Sequence, residues 1–172
     1  IGQYAIVVAS TDNGVFYKNS TNTWVQVGSN DWENSFPTVT GTTINPTFTT
    51  GSNVTINTIT VDLATSTTLA AVVSKINDAD ITGVTASADN NKLNLFVDNT
   101  ATSTGGSADG KLILVDGTHT PLVAAGLEEA TYWNPQVSHA SYVGVPSWRS
   151  TDTAPAPSGS VYIKTSVQGN GM

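Results

Sequence analysis

Cysteine is absent from the 172-residue sequence, and charged side chains are scarce. Without cysteine the chain can form no disulfide, no thiolate metal site and no cysteine nucleophile. Only 6 Lys and Arg residues stand against 13 Asp and Glu residues, for a formal net charge of −7. Because this balance leaves no basic surface to neutralise phosphates, we expect neither nucleic acid nor an anionic membrane as a partner.

Long apolar runs are also missing, so we expect no membrane insertion and no signal segment. Charged residues make up 11% and hydrophobic residues 38% of the chain, which means that hydroxyl and amide side chains must supply solubility. This composition is typical of β-rich extracellular or particle-surface proteins. The length fits one ordinary domain or two small ones, and the ends at Ile1 and Met172 lead us to expect a piece of a longer polypeptide.

The first segment, residues 1–46, has the pattern of a small antiparallel sheet. A β-branched run at Tyr4–Ser10 is followed by the turn signal Asp12-Asn13-Gly14 and then by the strand-like stretches "GVFYKNS" and "TWVQVGS". Prolines bound the extended stretch 37–46, which predicts an edge strand or a linker.

The middle segment, residues 47–127, combines a helix with short strands. Two alternating strands meet at a turn predicted at Asn57-Thr58, and Ser66 or Thr67 is the expected cap of a helix. The apolar residues of that helix fall on one face: Leu69, Val72, Val73 and Ile76. An amphipathic helix of this kind must pack on a sheet.

A hairpin and a shorter helical turn complete the middle segment. Its strands are predicted at residues 84–88 and in "KLNLFVD", where Asn94 and Phe96 face away from the leucines. Another strand leads to a turn at Asp116-Gly117 and a helical turn between Pro121 and Gly126. We therefore predict a β-rich α+β fold of small antiparallel sheets, with one amphipathic helix packed on a sheet in the middle segment.

The last segment, residues 128–172, is rich in proline and aromatic residues and is predicted to be extended or β. We expect it to pack with residues 1–46 and to form a base for the middle segment. Its stretch "GSVYIKTS" echoes "NGVFYKNS" near the start of the chain. This echo raises the hypothesis that the parent protein repeats a strand module.

Candidate catalytic and metal-binding residues are few. His119 and His139 have Ser and Thr neighbours, but a chain this rich in hydroxyl residues contains the ingredients of a triad without its geometry. The turn carboxylates lack the spacing of a calcium loop and suit ordinary turns; they are Asp12, Asp89, Asp109 and Asp116. We predict no enzyme activity, no catalytic residue, no cofactor and no metal.

The aromatic residues provide the one serious set of candidate contact residues. They lie in the outer segments: Trp24, Trp32, Trp133, Tyr142 and Trp148. Two interpretations remain open. The rings either cover the outer sheet and anchor it to neighbouring subunits, which we favour, or stack on sugar rings.

The middle segment also resembles a known family. The residues that carry the resemblance are Ile76-Asn77 at the end of the helix, Gly83–Ala86 and Lys92–Leu95. In this order they are similar to the flagellin hook IN motif of flagellins and hook-associated proteins, over about residues 48–127. The resemblance implies a structural role and transfers no catalytic residue.

The flanking segments resemble large virion proteins of tailed, T4-like and especially cyanophage-type myoviruses. This resemblance implies a surface-exposed domain of a tail protein, such as the sheath, located on the virion and in contact with copies of itself or with other virion subunits. Two alternatives remain. One is a tail-fibre adhesion module for a host glycan or receptor, and the other is a surface domain of a flagellin or flagellar hook-associated protein.

Overall fold

The computed structural model describes residues 2–8, 11 and 13–135, together with the backbone of two short strands at 137–140 and 161–164. The strands are β1 (Tyr4–Val7), β2 (Gly14–Lys18), β3 (Trp24–Gln26), β4 (Thr38–Thr40), β5 (Asn53–Ile56), β6 (Ile59–Asp62), β7 (Val84–Asp89), β8 (Lys92–Val97), β9 (Leu112–Asp116), β10 (Ala130–Tyr132), β11 (Val137–Ala140) and β12 (Val161–Lys164). The helices are α1 (Asn30–Glu33), α2 (Leu69–Asp78) and α3 (Pro121–Ala125).

The predicted N-terminal meander is confirmed. Strands β1, β2 and β3 form an antiparallel sheet in that order, with Tyr17 of β2 paired with Tyr4 on one side and Val25 on the other. One face of this sheet packs on α1, which the sequence did not predict. Tyr17, Val25 and Trp32 form a separate small core there.

The main core lies between two further antiparallel sheets. One has the strand order β10-β9-β5-β6 and the other has the order β4-β8-β7. Helices α2 and α3 contribute Val72, Ile76 and Leu122 to the same core, which joins Ile56 and Leu95 from the two sheets. The β-rich α+β class and the packing of the amphipathic helix are therefore confirmed.

Local signals in the middle segment agree closely with the structure. Asn57 occupies the turn between β5 and β6 with a φ of 54°, and α3 begins at Pro121 and is followed by the left-handed Gly126. The cap of α2 is Thr68 rather than Ser66 or Thr67. Its hydroxyl accepts a hydrogen bond from the Ala71 N–H at 3.3 Å, so the helix begins later than predicted.

Strand pairing crosses both of the segment boundaries proposed from the sequence. The predicted edge strand in residues 37–46 is β4, which pairs with β8 of the middle segment through Val39 and Leu95. At the other end, β10 pairs with β9 through Ala130 and Leu114. The division at 46/47 and 127/128 stays a proposal, but each outer segment supplies an edge strand to the sheets of the middle one.

The two stretches that echo each other both contain strands, β2 and β12. Their pairing differs, because β2 lies in the antiparallel meander whereas β12 pairs in parallel with β11. The hypothesis of a repeated strand module therefore stays a prediction.

Candidate assembly and contact surfaces

The Ile76-Asn77 pair joins α2 to the edge of a sheet. The Ile76 side chain is buried in the main core, while the Asn77 amide reaches β7. Its Nδ2 donates to the Ala86 carbonyl at 3.0 Å, and its Oδ1 accepts from the Ala86 N–H at 2.8 Å. Because β7 is an edge strand of its sheet, one side chain satisfies two backbone groups that would otherwise form part of an open edge.

Strand β1 presents apolar side chains to solvent at the edge of the N-terminal sheet. Ile6 is 79% exposed and Tyr4 is 45% exposed, and alternation along β1 places both on the same face. Val8, which directly follows the strand, is 89% exposed. The Tyr4 ring lies 5.2 Å from the Tyr17 ring, and burial raises its pKa well above the ordinary value. An apolar edge strand without a charged residue is a ready surface for pairing with another chain.

The opposite face of the N-terminal sheet carries a shallow groove of about 630 Å³. It is lined by Ala5, Val7, Thr11, Asn13, Phe16, Trp24 and Gln26. The Trp24 ring is 43% exposed, and the Lys18 ammonium lies 5.5 Å from its centroid. This groove therefore combines aromatic faces with amide and hydroxyl groups at an accessible surface.

The N-terminal sheet also contacts the second face of the β4-β8-β7 sheet. The side chains of Tyr17 and Thr38 are hydrogen-bonded, and this bond opposes the effect of burial, which raises the pKa of Tyr17. Asn94 faces away from the leucines as predicted, yet it is only 1% exposed, and its amide has no hydrogen-bond partner among the described residues. The second face of this sheet is therefore buried at β8 and is not a solvent-exposed polar surface.

The candidate aromatic residues have different positions. Trp24 is exposed and lies in the groove, and Trp133 is half-buried. Trp32, by contrast, is fully buried in the small core, so its ring cannot serve as a surface contact in this structure. Tyr142 and Trp148 lie outside the described residues, and for them the contact hypothesis stays a prediction.

Two of the acidic turns, at Asp109 and Asp116, have carboxylates that accept backbone hydrogen bonds, whereas Asp12 lies outside the described residues. The carboxylate of Asp116 accepts hydrogen bonds from the backbone N–H groups of Gly117, Leu122 and Val123, so it caps the start of α3. His119 lies in the same connection with a φ of 62°. Across the described ranges, no group of three or more His, Asp or Glu side chains has the arrangement of a metal site.

Two surface features were not predicted from the sequence. The pair Ile76-Asn77 is visible in the sequence, but its partner Ala86 is nine residues away on another element, and no local pattern connects an asparagine side chain to a strand edge. The β-branched run of β1 predicts a strand, but it does not show that Ile6 and Val8 stay uncovered.

Comparison with known proteins gives a match for part of the chain. Residues 47–99 match the family model of the flagellin hook IN motif. This range contains β5 to β8 and α2 and includes the contact between Asn77 and Ala86, whereas β9 and α3 lie beyond it. No curated protein and no solved structure is significantly similar to the chain. No helix in the described part of the chain is long and apolar enough to cross a bilayer. The chain therefore contains a flagellin- or hook-type module at residues 47–99.

Proposed function

We propose that this chain is a non-enzymatic structural domain of a polymeric surface assembly, exposed on the virion of a tailed bacteriophage as part of a tail protein. The match of residues 47–99 to the flagellin hook IN motif is the observation that carries the structural role. The phage setting is supported by the flanking segments, which resemble virion proteins and do not have the heptad pattern of coiled-coil ends.

The β1 edge is the surface through which the domain contacts a neighbouring copy. It exposes Ile6 and Val8, and β1 itself carries no charged residue. Because the chain as a whole has a net charge of −7, two copies repel each other over most of their surfaces and approach most easily at a neutral one. Burial of the apolar side chains then stabilises the contact.

The test is the association of the whole chain, measured by sedimentation velocity over a range of protein concentrations. We expect the wild-type protein to form weak, concentration-dependent oligomers that salt does not dissociate, since salt screens the repulsion between copies. The variant Ile6→Ser should stay monomeric under the same conditions. Val123→Ser is the matched control. Val123 is a β-branched apolar residue on α3 that is 67% exposed, and its replacement should leave association unchanged.

A wild-type protein that stays monomeric at every concentration would overturn the contact at β1. Equal association of wild type and Ile6→Ser would place the contact elsewhere. Neither result would affect the match of residues 47–99 to the hook IN motif, because that match does not include β1.

A flagellin or hook-associated surface domain is the second candidate function, because the same match supports it equally. Imaging separates the two. An antibody fragment raised against residues 47–99 should label phage tails at regular intervals if the proposal holds, whereas labelling of flagellar filaments or hooks would establish the second candidate. Labelling restricted to a fibre tip or baseplate would favour adhesion.

A further inference from the structure

The groove on the outer face of the N-terminal sheet is separate from the assembly edge. Alternation along β1 points Ala5 and Val7 into the groove and Ile6 to the opposite face. Its volume of about 630 Å³ lies within the range of roughly 300–1,000 Å³ that is usual for small-molecule sites. A ligand in the groove would therefore leave the apolar face of β1 available to a neighbouring copy.

Two side chains that line the groove, Trp24 and Gln26, are held in place by their neighbours. Lys18 and Trp24 are paired across β2 and β3, and the Lys18 ammonium lies over the indole ring. On the same face, a Cβ at Gly14 would lie 2.9 Å from Gln26 Nε2. The glycine thus leaves the space in which the Gln26 amide lies against the sheet.

The charge of the groove selects among possible occupants. None of its described lining residues is charged, so an organic cation would find no carboxylate among them. The Lys18 ammonium lies on the same face but is held over the Trp24 ring, so a carboxylate or phosphate would have to draw it away from the indole to be neutralised. A purely apolar peptide segment would bury the Gln26 amide and the Thr11 hydroxyl without hydrogen bonds. The lining instead matches a neutral ligand with one apolar face and many hydroxyl groups.

We propose that this groove binds a neutral saccharide. The exposed face of the Trp24 indole stacks on the C–H face of a pyranose ring, and the Gln26 amide donates to and accepts from ring hydroxyls. Phe16 and Val7 form the apolar floor. The proposal goes beyond the structural role of the domain and does not depend on it.

The test is an NMR titration of the ¹⁵N-labelled whole chain with neutral oligosaccharides: maltohexaose, cellohexaose, chitohexaose, mannohexaose and galactohexaose. At least one should shift the Trp24 indole N–H signal saturably with a Kd in the millimolar range. Trp24→Ala, followed through the backbone amide signals of Phe16 and Gln26 because the variant lacks the indole, should weaken the binding about tenfold. Gln26→Leu, which keeps the aromatic groups and the approximate volume of the side chain, should weaken it several-fold because it removes the amide.

Ile6→Ser is the control on the opposite face of the same sheet, and its affinity for the sugar should equal that of the wild type. The absence of a saturable shift at Trp24 with any of the sugars would overturn the proposal. So would a Kd in Trp24→Ala that equals the wild-type value. A Trp24 signal that moves with protein concentration in Ile6→Ser, in which the β1 contact is removed, would show that a second copy occupies the groove and would also overturn the proposal. Since Ile6→Ser removes association and Trp24→Ala removes sugar binding, the failure of one role can be told from the failure of the other.

Discussion

At the scale of single residues, Asn77 connects the helix to the sheet that it covers. Replacing Asn77 with alanine should lower the free energy of unfolding by about 1–3 kcal/mol, because the N–H and carbonyl of the buried Ala86 lose their partners. This loss should appear although alanine is the better helix former. Urea unfolding measures the difference. Ser74→Ala, an exposed position in the same helix, is the control that should cause no loss, and equal stability of the two variants would contradict the role of Asn77.

Another residue, Asp109, should make stability sensitive to acid. Partial burial acts to raise the pKa of Asp109, but hydrogen bonds from Ser103 and from the Lys111 N–H, together with the Lys111 ammonium at 3.9 Å, lower it below the ordinary value of 3.8. A depressed pKa in the folded state means that the stabilisation is present above about pH 4 and is lost as the pH falls through the folded pKa.

The variant Asp109→Asn should therefore be less stable than wild type at neutral pH, and the difference should shrink below about pH 4. Unfolding at a series of pH values measures this difference. Ser103→Ala keeps the carboxyl but removes a donor, so it should move the loss of stability to higher pH. A difference between wild type and Asp109→Asn that stays constant down to pH 2 would contradict the effect.

At the scale of elements, what could be predicted depended on local sequence patterns. The helix α2 was predictable because Leu69, Val72, Val73 and Ile76 recur at helical spacing, and the turn at Asn57 was predictable because asparagine tolerates a positive φ. The short elements α1 and β10, with four and three residues, are too brief to show a period.

The contact surfaces were less predictable than the elements, because they depend on which strands become neighbours. The pattern of β1 indicates a strand but not its place at the edge of the sheet. Similarly, Trp24 and Trp32 have the same chemistry, and only their positions make one ring a groove wall and the other a core residue. Composition could therefore identify the aromatic candidates but could not separate the buried ring from the exposed one.

At the scale of the whole molecule, the pairing of β4 with β8 and of β10 with β9 decides what can fold alone. A fragment of residues 47–127 lacks both outer strands, so it exposes the edges of β8 and β9 and removes the Val39 side chain that packs on the main core. We expect residues 38–132 to unfold cooperatively, and the shorter fragment to be less stable by roughly 2 kcal/mol or more or to aggregate.

Thermal and urea unfolding of both fragments, followed by circular dichroism, tests this expectation. The intermediate fragments 38–127 and 47–132 separate the contribution of β4 from that of β10. We expect the loss of β4 to cost more, because β4 covers the central strand β8 and Gly41, just after it, lies so close to the Ala125 carbonyl that a Cβ would be 2.2 Å from that oxygen. If residues 47–127 were as stable as residues 38–132, the boundaries proposed from the sequence would delimit an independently folding unit. The two outer strands would then add nothing to its stability.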